Sequence, residues 1–442
     1  QAVLIIMRRM FSLNMVPEML QVKEWYVTAL ERNTALSQRE RDNYYGELEV
    51  ILSFLAFNSI TGMSEHHRRA YKLLSGAPQT LSKQGIWTFG APSVLGLYLR
   101  TGCSLRQTVE DMQECMPPYY LLSGWHGAGA AELTEAEALL LQGRIDEMDM
   151  PLQKAYYQAE KHGQECITIC CDFLEMQRDL FRGVYSSKAE AYSRHQCQLQ
   201  PWKQSMLLNT ADMCAGFYYA LLGKPEYIPS WLTDENGQQP SVLYPARPCR
   251  NYISAQCLLA QGQYTELLVR WSDWEQECRP YSNFLCLLYL QVQRAAAFAG
   301  RGDVTSCRVS LKQALAMAAA DKLVLPLAQN IALLRPYLEQ EAQGEYSATA
   351  AAALHLGQQL EAGRGQIMSA RFAEAGLQEL TEQELQIAQL AAARHTNREI
   401  AQRLSLSEGT IKQYLNKIFA KLQIDAAAKN KRHQLERFFP NS

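Results

Sequence analysis

The sequence lacks any apolar run approaching the ~18 residues that a membrane-spanning helix needs, and nothing at its start has the form of a secretion signal. It contains no GxSxG, HExxH or Walker sequence and no pair of carboxylates in a recognisable catalytic context, so no enzyme is expected. Its twelve cysteines are scattered, and the closest group, Cys166, Cys170 and Cys171, does not have metal-ligand spacing. Reduced thiols used as small core residues are the simpler expectation. His66 and His67 are adjacent, so on a helix they point in different directions, which argues against a metal there. These absences lead us to expect a soluble, cytoplasmic chain that works by binding, with no metal, no cofactor held by this chain and no contact with a membrane.

Strong net charge is also missing: the formal balance over 442 residues is −2. It is unevenly spread, however, because residues 380–442 carry ten Lys and Arg against six Asp and Glu, leaving the rest acidic. A basic tail on an acidic body predicts that only the tail meets a polyanion. The length predicts two or more domains.

What the body does have is a period. Around Gly143, Gly262 and Gly302, small residues stand seven places upstream (Ala136, Ala255, Ala295) and larger apolar ones five places downstream (Met148, Leu267, Cys307). Gly183 and Gly223 fall on the same grid of 39 or 40 residues, and Gly102 and Asn58 come near it. Such a unit describes two helices packed closely around a tight turn, and a fixed period of this size predicts stacked helical hairpins. The pattern resembles tetratricopeptide repeats, lengthened from their usual ~34 residues. We therefore expect residues 1–360 to be an all-α, TPR-like solenoid of seven to nine hairpins, with a binding site on its concave face. Two insertions that do not repeat, "GIWTFGAP" with Trp87 and Phe89 and "PPYYLLSGWHGAGAAEL" with Tyr119, Tyr120, Trp125 and His126, are candidates to line it. Aromatics beside a histidine suit a sugar, an aromatic metabolite or a peptide. The competing expectation makes those aromatics core, with Gly124, Gly127 and Gly129 serving a tight turn and close helix approach.

The tail reads "LTEQELQIAQLAAARHTNREIAQRLSLSEGTIKQYLNKIFAKLQI" from Leu380. Thr381 with Glu384, and Thr396 with Glu399, have the spacing of capping boxes, which fixes two helix starts. Ser407 caps a third, with Leu406 placed to staple onto Ile411. Only a tight turn fits between Leu404 and Ser407, so the second and third helices meet steeply, as in a helix-turn-helix. In the third helix Ile411, Leu415, Ile418, Phe419 and Leu422 form the apolar stripe, leaving Thr410, Lys412, Gln413, Asn416 and Lys417 outward.

On those residues the tail resembles the LuxR/GerE family of four-helix DNA-binding domains, over about 60 residues without a gap. The resemblance implies that the third helix enters the major groove of double-stranded DNA. It assigns Lys412, Gln413, Asn416 and Lys417 to the groove or its walls, and Thr396, Asn397, Ser407, Thr410 and Lys421 to phosphates. Glu384, Ile400, Ala401 and Leu404 are assigned structural roles, with Glu384 bracing the loop between helices. Tyr414 stands where the family usually has His. The final segment, "DAAAKNKRHQLERFF", is implied to be a dimerisation helix, with Leu435, Phe438 and Phe439 available for burial.

A helical-repeat body before such a domain resembles the large ATP-binding, MalT-like regulators of the LuxR family. Those place an NTPase before the repeats, and ATP would enter here only through such an upstream domain. The opening "QAVLIIMRRMFSLNM", with no initiator Met, leads us to expect the carboxy-terminal half of a longer regulator or a shortened relative. Residues 361–378, with three glycines, are expected as a linker before a DNA-binding domain at 379–442. Together these readings describe a transcriptional regulator, activating in sense, that senses a small-molecule inducer or protein partner, pairs as a homodimer on DNA and meets RNA polymerase. The alternative is an interaction scaffold whose basic helices dock an acidic protein.

Overall fold

The computed structural model describes residues 1–194, 204–234, 242–372, 380–422, 424, 435, 438 and 439, and all regular structure among them is helical. The chain divides into two compact units, Gln1–Arg178 with Ser186–Leu360, and Asp179–Tyr185 with Glu361–Ser442. Among the described residues no helix is long and apolar enough to cross a membrane.

The first unit is built from antiparallel neighbours. α1 (Ala2–Ser12) pairs with α2 (Val16–Arg32), and α3 (Gln38–Leu52) with α4 (Ile60–Leu73). A five-residue helix, α5 (Val94–Tyr98), precedes α6 (Leu105–Ser123), α7 (Ala130–Leu141) and α8 (Asp149–His162). Then follow α9 (Glu165–Arg182), α10 (Ser187–Ser193), α11 (Gln204–Leu222), α12 (Arg247–Ala260), α13 (Tyr264–Cys278), α14 (Phe284–Gly300) and α15 (Val304–Ala319). α16 (Leu325–Gln329), α17 (Ile331–Glu341) and α18 (Ser347–Ile367) complete the series.

The glycine grid marks the turns. Gly143, Gly183, Gly223, Gly262 and Gly302 all lie just past a helix end with φ between 69° and 78°. A Cβ is penalised there, which is why the period is carried by glycine. Asn58 adopts the same conformation at φ 63°. One expectation shifts by a residue: the left-handed position of the next turn is Cys103, at φ 61°, and not Gly102. Gly102 is small for another reason, since a Cβ there would lie 3.0 Å from the Phe284 ring. The paired positions behave as the period requires, with Ala136, Ala255 and Ala295 upstream and Met148, Leu267 and Cys307 downstream all fully buried.

A stack in which each hairpin touched only its neighbours would leave α5 and α14 apart. Here Phe284 N donates to Leu99 O at 2.9 Å, and Asn283 Nδ2 donates to Gly96 O at 3.1 Å. Gln142 Nε2 donates to Asp321 O at 3.0 Å, and Gln329 Nε2 donates to Gln177 Oε1 at 2.9 Å. Early hairpins thus bond to late ones, and α5, every residue of which is buried, lies among α7, α12 and α14. The cysteines serve this interior: of the eleven described, ten are buried, and burial pushes thiols such as Cys257 and Cys278 up, away from the reactive thiolate.

The glycines of the second insertion are structural, as the plainer expectation had it. Gly124 caps α6 at φ 64°, and Gly129 caps the start of α7 at φ 96° with a Cβ position 2.6 Å from Ala155 O of α8. Both the backbone angle and the backbone neighbour reject a side chain. Gly129→Ala is expected to cost at least about 2 kcal/mol, read as a lower urea midpoint with no change in DNA affinity per folded molecule.

In the second unit α18 passes Gly363, whose backbone lies directly against Leu180 O, and ends in a π-helical turn, Met368–Phe372. The segment expected as a linker is therefore helical as far as residue 372, and 373–379 lie outside the described residues. Then come α19 (Glu382–Ala392), α20 (Asn397–Leu404) and α21 (Glu408–Lys421) around a small core of Ile387, Ala391, Ile400, Ile411, Leu415 and Ile418. Leu435 is fully buried in this core, and Phe438 and Phe439 pack on it. The rest of the implied dimerisation helix lies outside the described residues.

Candidate functional site

Two places concentrate chemistry, one in each unit. In the second, both capping boxes are formed. Glu384 N donates to Thr381 Oγ1 at 3.3 Å while Thr381 N donates to Glu384 Oε2 at 2.9 Å. The same reciprocal bonds join Thr396 and Glu399 at 3.3 and 2.7 Å. Ser407 accepts from Thr410 N at 3.0 Å and starts α21. Ser405, left-handed at φ 55°, ends α20, so the break spans only Ser405, Leu406 and Ser407. Two helices joined so tightly must cross steeply, and α19 packs against α21 as the third member.

This packing decides what α21 shows to solvent. Ile411, Leu415 and Ile418 are buried, while Lys412, Gln413, Asn416 and Lys417 are exposed. Their spacing of one, three and one places two adjacent pairs one turn apart on the same face. Long cationic and amide side chains in such a row are the donors that phosphates and base edges accept from.

The expected phosphate residues divide. Thr396, Ser407 and Thr410 are engaged as caps: Thr396 Oγ1 donates to Glu399 Oε2 at 3.0 Å, and the Ser407 and Thr410 hydroxyls share a bond of 2.8 Å. What those helix ends offer an anion is the N–H groups of their first turns, where Asn397 is half-buried and Arg398 exposed. Arg398 was not singled out by the sequence, although its place in the first turn of α20 was legible there. Lys421 is committed elsewhere, with Nζ 2.6 Å from Glu384 Oε2. Glu384, expected to brace the loop between helices, instead ties the start of α19 to the end of α21 through this ion pair. Tyr414, in place of the family's His, donates from Oη to Gln383 Oε1 at 3.0 Å and so ties α21 to α19 as well.

The Lys421 ammonium and then the Thr381 N–H hold the Glu384 carboxyl below its ordinary value of 4.5, and the Thr396 N–H does the same for Glu399. A lowered folded pKa gives stability that is complete above the ordinary value and is lost as pH falls through the depressed one. The domain is therefore expected to lose hydrogen-exchange protection across 382–421 as pH falls below about 4.5, and Glu384→Gln should flatten that acid limb.

The first unit contains a cavity of ≈ 410 Å³, within the range of small-molecule sites. Of the residues expected to form a binding site, Trp87, Phe89, Tyr119 and His126 line it. Tyr120 and Trp125 do not: Trp125 stacks between Tyr120 and His162, at centroid distances of 5.2 and 4.2 Å, beside a separate shallow depression. The two insertions meet because Gly127, at φ 74°, lets Trp87 lie 2.6 Å from where its Cβ would be. Trp87 in turn stacks on Tyr98 at 5.5 Å, and Tyr119 Oη and His126 Nδ1 share a 2.6 Å hydrogen bond. Phe89 holds a left-handed backbone at φ 56°, an uncommon conformation for a bulky residue.

Sequence reasoning missed the other wall. Arg8, Phe11, Phe54 and His67 line the cavity too, brought from α1, the 3-10 turn that follows α3, and α4. No local pattern marks them, since Arg8 Nη1 donates to Thr80 O, at 2.7 Å, across 72 residues. Burial, with the nearby His66 and His126, holds His67 down to about 3, so it is neutral at physiological pH. His66 faces the other way, with Nδ1 2.7 Å from Glu49 Oε2. Among the described residues no group of His, Cys, Asp and Glu could hold a metal.

Residues 378–429 match the family described as GerE, bacterial regulatory proteins of the luxR family. No curated protein matches the chain. The carboxy-terminal part is thus a LuxR-type helix-turn-helix domain, a DNA-binding and transcription-regulating type.

Proposed function

We propose that the chain is a transcriptional activator whose helical body senses a small-molecule inducer or protein partner and through that event controls the LuxR-type domain. The row Lys412, Gln413, Asn416 and Lys417, exposed on a helix whose other stripe is buried, carries the DNA-binding half of this reading. Hairpin turns at intervals of 39 or 40 residues support a TPR-like body of the MalT-like kind. The cavity lined by four of the residues expected to bind supports sensing. Two copies on adjacent half-sites, with RNA polymerase as a further contact, complete the mechanism.

The test is selection of DNA by the full chain from a random duplex pool. Enrichment of paired half-sites is expected, with log K falling against log salt by about 0.9 for each phosphate neutralised. A chain that docks an acidic protein instead would enrich no sequence.

A further inference from the structure

We infer that the cavity of the first unit is a binding site for an aromatic or similarly apolar carboxylate, with the acid group seated on Arg8 and the apolar body between the aromatic walls. Arg8 is the centre of the argument. Its guanidinium is half-buried at the cavity wall, 6.0 Å from the centroid of the Phe54 ring, and one of its N–H groups is fixed on Thr80 O. That anchor is itself held: Glu47 accepts from Thr80 N at 3.0 Å and from the Thr80 hydroxyl at 2.5 Å. Among the described residues Arg8 forms no ion pair, and no Asp or Glu lines the cavity. Burial disfavours the guanidinium's charge, and Tyr119 only partly offsets this. A buried cation without a carboxylate is costly, and a ligand that brings one removes the cost through a planar, two-point bond.

The remaining walls define the rest of the ligand. Trp87, Phe89, Phe11 and Phe54 supply ring faces and edges, and neutral His67 packs against Tyr119 with the rings tilted and their centroids 4.5 Å apart. Ser12, Ser53, Ser64, Ser82 and Ser205 are the small polar residues of the described lining. Among the described residues no Asp, Glu, Asn or Gln lines the space, and these are the side chains that several adjacent sugar hydroxyls need. That composition favours an aromatic acid over a sugar. A peptide would bring more backbone N–H and C=O groups than these walls can satisfy.

This inference rests on the sensing reading for its regulatory consequence only, and the test separates the two. The probes are 2-naphthylacetate and its neutral amide, titrated calorimetrically into the full chain without DNA. The acid is expected to bind at least about tenfold more tightly than the amide, and Arg8→Met, which keeps the aliphatic stem, should erase the preference while leaving amide binding unchanged. Arg8→Lys, which keeps the charge, should retain part of it, and covers the case in which the methionine variant does not fold. Equal affinities of acid and amide for the unaltered chain overturn the inference, as does an acid preference that survives Arg8→Met. DNA affinity is then measured with and without the acid. Acid binding that leaves DNA affinity unchanged keeps the cavity assignment and defeats the sensing reading.

Discussion

Glu137→Ala is expected to destabilise the first unit by about 3–6 kcal/mol, more than any surface change in the chain. Glu137 lies on α7, fully inside the unit, and its carboxylate accepts from Val94 N at 3.0 Å, from Leu95 N at 2.9 Å and from the Ser93 hydroxyl. These are the first donors of α5, which no intrahelical partner satisfies. Ser93 Oγ already accepts from Gly96 N at 2.7 Å, so the hydroxyl proton has only Glu137 to meet. Truncation would leave three buried donors and a void together. Because α5 carries Tyr98 into the cavity wall and offers Gly96 O to Asn283, the damage should reach the cavity, with naphthylacetate binding lost along with the lowered urea midpoint.

The same residue gives a pH dependence of known sign. Burial pushes the Glu137 carboxyl up from 4.5 to about 7, against the Leu95 N–H, the Ser93 hydroxyl and the Val94 N–H, which pull it down. The folded chain therefore holds this proton more tightly than the unfolded chain. Its contribution is complete below pH 4.5 and fades as pH rises through about 7. Glu137→Gln has no such proton, so its stability relative to the parent should rise by about 3 kcal/mol from pH 4.5 to 7. A difference in urea midpoints that stays flat across that range would mean that the three donors, and not burial, control the group.

What the sequence made legible was local. A capping box is four residues long, a left-handed turn is one residue, and an apolar stripe repeats every three or four. Hence Thr381, Thr396, Ser407, the Ile411 stripe and the glycine grid are all legible in the sequence. Even the slip from Gly102 to Cys103 follows from this, since a small residue needed for contact with Phe284 looks the same in sequence as one needed for a turn. The cavity was half legible. Aromatic insertions stood out as departures from the period, but nothing local separated Trp87 and His126, which line it, from Tyr120 and Trp125, which do not. Arg8, Glu47 and Glu137 were invisible for a different reason. Each is a charged residue in a helical pattern, where a solvated face is the ordinary outcome, and each is drawn inward by partners more than 30 residues away.

Ile411→Asp and Lys412→Ala should both abolish or weaken DNA binding, and they should do so by opposite routes. Ile411 is fully buried among Ile387, Ile400 and Leu415, in a core too small to relax around a carboxylate. Burying that charge costs several kcal/mol, comparable to the whole stability of a domain of this size. Lys412, its neighbour in the chain, is exposed, and its loss should leave stability within about 0.5 kcal/mol. DNA affinity should nevertheless fall by a factor of about 5–150 if the ammonium meets a base edge. If it meets a phosphate, the salt slope should drop by about 0.9. The tail contains no tryptophan, so its folding has to be followed inside the full chain by amide exchange of 382–421. Protection should vanish in Ile411→Asp and persist in Lys412→Ala. Loss of protection in both would mean that the buried and exposed faces of α21 have been exchanged, and with them the surface on which Gln413, Asn416 and Lys417 meet DNA.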